Sequence, residues 1–244
     1  MYCKSLFAVC IVFMILGLSC SDDDNPVSSE DIIGSGNLIT EELTLADFHS
    51  VRFTIVGDIN LTSGAAQAVS ITVDDNIIDH IVTSVEDGVL TISSNPNAAI
   101  SEYDLTFDLT MTDLNELELI GVGNITGVNG FQVDSAGINL QGVGNIYLDL
   151  DADYLHTIHG GVGNILLIGS VTKHVCEYPG VGQINAFEFI SDTTIISLSG
   201  VGNASVYAND YLDVNISGSG SLLYKGNPTI VQEITGLGQI IDAN

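Results

Sequence analysis

A short phrase, Gly-Val-Gly-Asn-Ile, returns with small variations seven times in the second half of this chain. The copies start at Gly121, Gly142, Gly161, Gly180, Gly200, Gly218 and Gly236, at intervals of 18–21 residues. A period near 19 with strand-like residues around each copy predicts a chain that winds into a stack of similar β coils. Seven coils at a strand spacing of ~4.8 Å would span roughly 29 Å.

The slots of one coil follow from counting outward from the first glycine. Two residues before it stand Leu119, Leu140, His159, Tyr178, Leu198, Ile216 and Ile234. Four before it stand Leu117, Ile138, Thr157, Cys176, Ile196, Val214 and Gln232, and four after it Ile125, Ile146, Ile165, Ile184, Ala204, Leu222 and Ile240. These slots share one parity, so an extended chain turns them all to one face, the coil interior. The glycines share that parity, and the wall bends or pinches there.

The opposite parity carries Asn124, Asn145, Asn164, Gln183 and Asn203, whose stacked amides form a candidate polar ladder. It also carries Val122, Val143, Val162, Val181 and Val201. Two readings stay open for these valines. Extended geometry through Gly-x-Gly makes them an exposed stripe and a candidate interface; a twist at the glycines would turn them inward.

Residues 37–113 read as less regular strands, such as Val51–Phe53–Ile55 and Leu105–Phe107–Leu109, between turn signals such as Asp87-Gly88. They are either three or four further coils with weaker repeat identity or a capping sheet. The regular coils occupy 114–244. The chain ends a few residues past its last repeat, so the final coil is expected to be nearly uncapped.

The N-terminus supplies an address. Lys4 precedes an apolar run from Leu6 to Leu18, the pattern of a secretory signal over residues 1–19 and too short for a confident membrane span. Leu18-Ser19-Cys20 resembles a bacterial lipobox, which implies cleavage before Cys20, diacylation of its thiol and a membrane partner through that lipid. Residues 20–36, with Asp22-Asp23-Asp24, are expected to form an acidic flexible tether. The acidic run also looks like a signal for export to the outer face of the outer membrane; a merely solvated linker, and a periplasmic location, are the alternatives.

Charge narrows the function classes. The chain carries a formal net charge of −27; without Lys4 it keeps three basic residues, Arg52, Lys173 and Lys225, against 31 acidic ones. Nucleic-acid binding needs phosphate neutralisation and is excluded. β-Helix enzymes acting on acidic polysaccharides need clustered carboxylates together with Arg or Lys, and a single arginine does not supply that. No nucleophile elbow, zinc-ligand helix or phosphate loop is present.

Three local clusters remain. Asp149, Asp151 and Asp153 alternate with apolar residues and form a candidate calcium site, the one cofactor considered; a solvated strand end is the other reading. His156, His159 and His174 could suggest zinc, but His159 falls in an inward slot beneath Tyr178 and reads as a core histidine hydrogen-bonded to that neighbour. Cys176 reads as a small core residue.

Taken in order, several phrases resemble a bacterial secreted family, the head GIN domain or putative auto-transporter adhesin family. They are Gly34-Ser35-Gly36-Asn37, Phe48 to Ile59, the strand–turn–strand Val85 to Ile92, the recurrent Gly-x-Gly, and Tyr224-Lys225-Gly226-Asn227-Pro228. The resemblance covers residues 34–244. It implies an all-β, right-handed parallel β-helix with an adhesive role toward a glycan or protein, and it supplies no catalytic residues. This chain places valine where the family has serine inside Gly-x-Gly. An envelope module that self-associates into a homo-oligomer is the second function class.

Overall fold

A computed structural model describes residues 31–244; the signal segment, Cys20 and the first part of the tether lie outside the described residues. The chain forms a right-handed parallel β-helix with a coil spacing of about 19 residues. Five coils are nearly continuous strands, Val122–Leu140, Val143–His159, Val162–Tyr178, Val181–Leu198 and Val201–Ile216, each paired in parallel with the next. Among the described residues the only helical segment is the single 3₁₀ turn Ile78–His80.

Register explains why the repeat is so regular. Val122 pairs Val143, Asn124 pairs Asn145 and Ile125 pairs Ile146, and the same pairing continues coil by coil. Each inward slot therefore stacks on its own equivalent, and the aliphatic rows become columns of the core. Leu117, Ile138, Cys176, Ile196 and Val214 are buried, as are Ile125, Ile146, Ile165, Ile184 and Ala204. These side chains belong to one continuous hydrophobic core.

The N-terminal part departs from a simple continuation of coils. Ser50–Phe53 and Asp58–Ser63 make one coil, and Val89–Ser94 with Leu105–Met111 make another, but their stacking order is the reverse of the chain order. Ser50–Phe53 lies between Val89–Ser94 and Glu116–Leu119, in parallel with both. The inversion is built by a hairpin: Asp87 and Gly88 hold positive φ of 51° and 77°, the conformation of a two-residue turn, and reverse Ile81–Glu86 onto Val89–Ser94. Ala68–Asp74 and Leu38–Glu42 add in antiparallel fashion beyond Leu105–Met111. Residues 37–113 thus form two parallel coils rather than three or four, flanked by antiparallel strands.

The tether was expected to run to residue 36, and this is corrected. Asp31–Ile33 pairs with Ala99–Ser101. Gly34-Ser35-Gly36-Asn37 is pinned to Asp74–Asn76: Gly36 N–H donates to Asp74 Oδ1 (2.5 Å), Ser35 Oγ to Asp75 Oδ1 (2.6 Å) and Asn37 Nδ2 to Asp75 Oδ2 (2.8 Å). The bonds from Ser35 and Asn37 hold the Asp75 carboxyl below its ordinary pKa. At the other end, Thr229–Ile234 pairs with Tyr211–Ile216 and is exposed throughout.

Candidate functional site

The Gly-x-Gly corner is the most repeated surface of the molecule. Its second glycines, among them Gly123, Gly144, Gly163, Gly182 and Gly202, hold φ between 139° and 150°. A Cβ at Gly144, Gly163 or Gly182 would lie 1.7 Å from the carbonyl oxygen of the equivalent glycine one coil earlier. The first glycines are equally tight: at Gly142 and Gly161 a Cβ would come within 2.0 and 2.1 Å of the preceding coil's first-glycine oxygen. Two columns of backbone pack against each other here with no room for side chains.

Alternation survives across this corner, so the valines between the glycines point outward. Val122, Val143, Val162, Val181 and Val201 are 46–56% exposed, and the inward reading is corrected. The row extends by one valine that the repeat did not mark. Val56, 51% exposed, bridges to Val122, and Ile55-Val56-Gly57-Asp58-Ile59 is an eighth corner with isoleucine for its first glycine.

The amide ladder runs beside the valines. Asn145 Nδ2 donates to Asn124 Oδ1 and Asn164 Nδ2 to Asn145 Oδ1, each at 2.8 Å. Asp58, in the ladder slot of the eighth corner, receives both the backbone N–H and Nδ2 of Asn124. Among the described residues no ladder bond joins Asn164 to Gln183; Asn203 instead accepts from Ser221 N–H at 3.0 Å. Around the ladder and valines the corner is uncharged: Gln141–Asn145, Gly160–Asn164, Pro179–Gln183, Ser199–Asn203 and Ser217–Ser221 contain no ionisable side chain. On a chain of net charge −27, this strip is the surface least opposed to contact with another macromolecule.

The histidines do not converge. His159 and Tyr178 stack with ring centroids 4.7 Å apart, but the expected hydrogen bond between them is replaced by two parallel ones. His159 Nε2–H donates to Gly163 O (2.8 Å) and the Tyr178 hydroxyl to Gly182 O, each reaching the second glycine of its own corner. A carbonyl only accepts, so His159 Nδ1 is left as a bare acceptor, buried without a partner. Burial pushes the His159 pKa down. His174 is buried against Thr157 Oγ1 (3.0 Å), and His156 pairs at the surface with Glu177 (3.1 Å). Cys176 is a buried free thiol whose pKa burial pushes up to about 12, which removes it as a nucleophile at neutral pH.

The calcium reading of Asp149, Asp151 and Asp153 is corrected. Among the described residues no three His, Cys, Asp or Glu side chains are placed to hold a metal ion. All three lie on the one strand Val143–His159, Asp149 half-buried and the other two exposed, and Asp151 accepts from Ser170 Oγ at 2.5 Å. Arg52 is committed as well: its Nε lies 2.5 Å from Glu118 Oε2, and that hydrogen bond raises the guanidinium pKa further.

Comparison with known proteins agrees with this architecture. A crystal structure described as a putative adhesin from Bacteroides fragilis superposes with a TM-score of 0.82 at 29% identity, covering 86% of this chain and 98% of its own. A structure from Parabacteroides distasonis, described as a putative lipid binding protein, gives 0.70 at 27% identity over 88% of this chain and 100% of its own. A putative adhesin from Parabacteroides merdae, at 23% identity and a TM-score of 0.64 over 87% of this chain and 99% of its own, shares the fold. No curated protein sequence matches the chain significantly. The family profile described as "Putative auto-transporter adhesin, head GIN domain" matches residues 47–228, and the chain belongs to that family.

Proposed function

We propose that this protein is a non-catalytic, adhesin-like binding protein of the bacterial cell surface, anchored through a lipid on Cys20. One observation carries the reading. The regular coils hold an uncharged edge of valines and amides in strict register on an otherwise strongly acidic molecule, an arrangement suited to contact rather than chemistry. The chemistry side is thin: Arg52 is paired with Glu118 and Cys176 is sealed in the core. The Parabacteroides distasonis relative is described as lipid binding.

The test is accessibility on intact cells. Antibody labelling and protease shaving of intact cells should reach the protein and remove it. Protection until the outer membrane is opened would put the protein on the periplasmic side and end the surface reading.

The exposed valines favour a second reading, self-association of the corner. If that edge joins copies, Val143→Asp with Val181→Asp should lower the mass found by light scattering and leave the melting temperature unchanged, because both side chains are half in water. An identical monomer mass before and after substitution would remove this reading and leave the adhesive one standing.

A further inference from the structure

Beyond the ladder, the same outer face breaks the rule of its own fold. A strand with one face in water alternates apolar and polar residues. Ile165-Leu166-Leu167-Ile168 does not: Ile165 and Leu167 fill the core, yet Leu166 and Ile168 also carry large apolar side chains outward. On the coil before, Tyr147 occupies the outward slot in register with Leu166. On the coil after, the register shifts between Leu166 and Ile168, so that Ala186 and Phe187 oppose the single residue Leu167. A second shift between Ala186 and Ile190 widens the irregularity against the following coil. These bulges bury Phe189 and leave Phe187 half-buried on the outer face.

Tyr147, Leu166, Ile168 and Phe187 line one shallow depression of about 420 Å³. That volume lies within the 300–1,000 Å³ usual for small-ligand sites. Polar groups converge on it. Lys225 places its Nζ 4.6 Å from the centroid of the Phe187 ring. Asn185 Oδ1 accepts from Ser205 Oγ (3.1 Å), so its amide N–H groups are left to donate, and Glu188 offers an exposed acceptor.

We propose that this depression is a binding site for neutral oligosaccharide. The face of a pyranose ring is apolar C–H surface that packs on aromatic rings, while its rim is hydroxyls that need both donors and acceptors. Tyr147 and Phe187 supply the ring surfaces; Asn185, Lys225 and Glu188 supply donors and an acceptor around them. Charge selects the neutral class. Register sets Asp149 and Glu188 on either side of Ile168, and two carboxylates against one ammonium disfavour uronic or sialic acids. The inference rests on the adhesin-like reading and gives that reading a ligand class.

The experiment titrates the whole secreted chain with neutral tetrasaccharides of glucose, galactose, mannose and N-acetylglucosamine, and with tetragalacturonate as the acidic comparator. At least one neutral probe should bind with Kd of about 0.1–1 mM and outcompete the acidic one. Phe187→Ala and Tyr147→Ala should each weaken it about tenfold, with melting temperatures held. No binding by any neutral probe, or equal binding by Phe187→Ala, overturns the site. Beads coated with the protein and offered to glycan-bearing cells separate this proposal from the reading beneath it. Equal adherence of wild type and Phe187→Ala places the adhesive surface elsewhere and sinks only the oligosaccharide site. Adherence lost in Phe187→Ala but resistant to periodate treatment of the cells assigns the depression to a protein ligand and overturns the glycan class. Absence of adherence alongside intact saccharide binding sinks the adhesin-like reading alone.

Discussion

Gly163→Ala should yield a chain that no longer folds, while Gly160→Ala, three residues away in the same Gly-Gly-Val-Gly phrase, should be almost silent. At Gly163 the added carbon meets the Gly144 carbonyl oxygen at 1.7 Å and its carbon at 2.8 Å, and the φ of +143° is one that a side chain rarely adopts. Neither contact can relax alone, since the carbonyl belongs to a strand locked in register for its whole length. Separating the two coils would break the pairing of Val143, Gly144 and Asn145 with Val162, Gly163 and Asn164 and pull apart the core columns on either side. Backbone strain and overpacking together put the cost at roughly 4 kcal/mol or more, a large part of what holds a domain folded. At Gly160 the nearest atom to a new Cβ is Leu140 O at 3.8 Å, ordinary contact, and a change within about 0.5 kcal/mol follows. Soluble yield and urea unfolding of Gly160→Ala, Gly161→Ala and Gly163→Ala check the contrast. A folded Gly163→Ala protein with wild-type stability would show that the coils are not packed through their glycines.

This contrast marks what could be read without coordinates. The inward columns were legible because parity and a fixed period are sequence properties, and residues such as Leu140, Ile165 and Leu198 satisfy both. The orientation of the valines was not, because it depends on glycine dihedrals, and glycine leaves no trace in the sequence of which φ it adopts. The tether is drawn too far, to residue 36, for a similar reason: the order of Gly34-Ser35-Gly36 comes from Asp74–Asn76, some forty residues away. The inverted stacking of the two N-terminal coils was hidden as well, since alternation reports which face of a strand is wet and not which strand lies beside it. Two signals were in the text but unused. Ile55-Val56-Gly57-Asp58-Ile59 carries the corner pattern and the acidic base of the ladder, and Ile165–Ile168 breaks alternation at the depression beside Phe187.

Acidification should destabilise the protein through His174, and replacing that residue should remove the effect. Its ring is buried in the column between Leu155 and Thr194, edge-on to Phe189 at 5.6 Å and bonded to Thr157. Burial in this apolar column, with a smaller contribution from the nearby His156 charge, pushes its pKa down to about 4. In the unfolded chain an ordinary histidine titrates near 6.5. Between those values the unfolded state binds the proton and the folded state does not, so stability falls as pH falls through that window. The loss from this group reaches about 3 kcal/mol near pH 4 and stops there, since both states are then protonated. His159, also depressed by burial, acts with the same sign. Asp75 and Asp242, whose carboxyls are held below their ordinary pKa by hydrogen bonds, also lose stability as pH falls. The total pH profile mixes these terms, and the difference between wild type and His174→Leu isolates the histidine. The variant gives up one buried hydrogen bond to Thr157, a cost that does not change with pH. From pH 7 through 5.5 to 4 the urea midpoint of wild type should therefore fall relative to that of His174→Leu, and at pH 4 it should lie below it. Parallel curves would mean that His174 takes up its proton in the folded coil as readily as in water, and the column around it would have to be open to solvent.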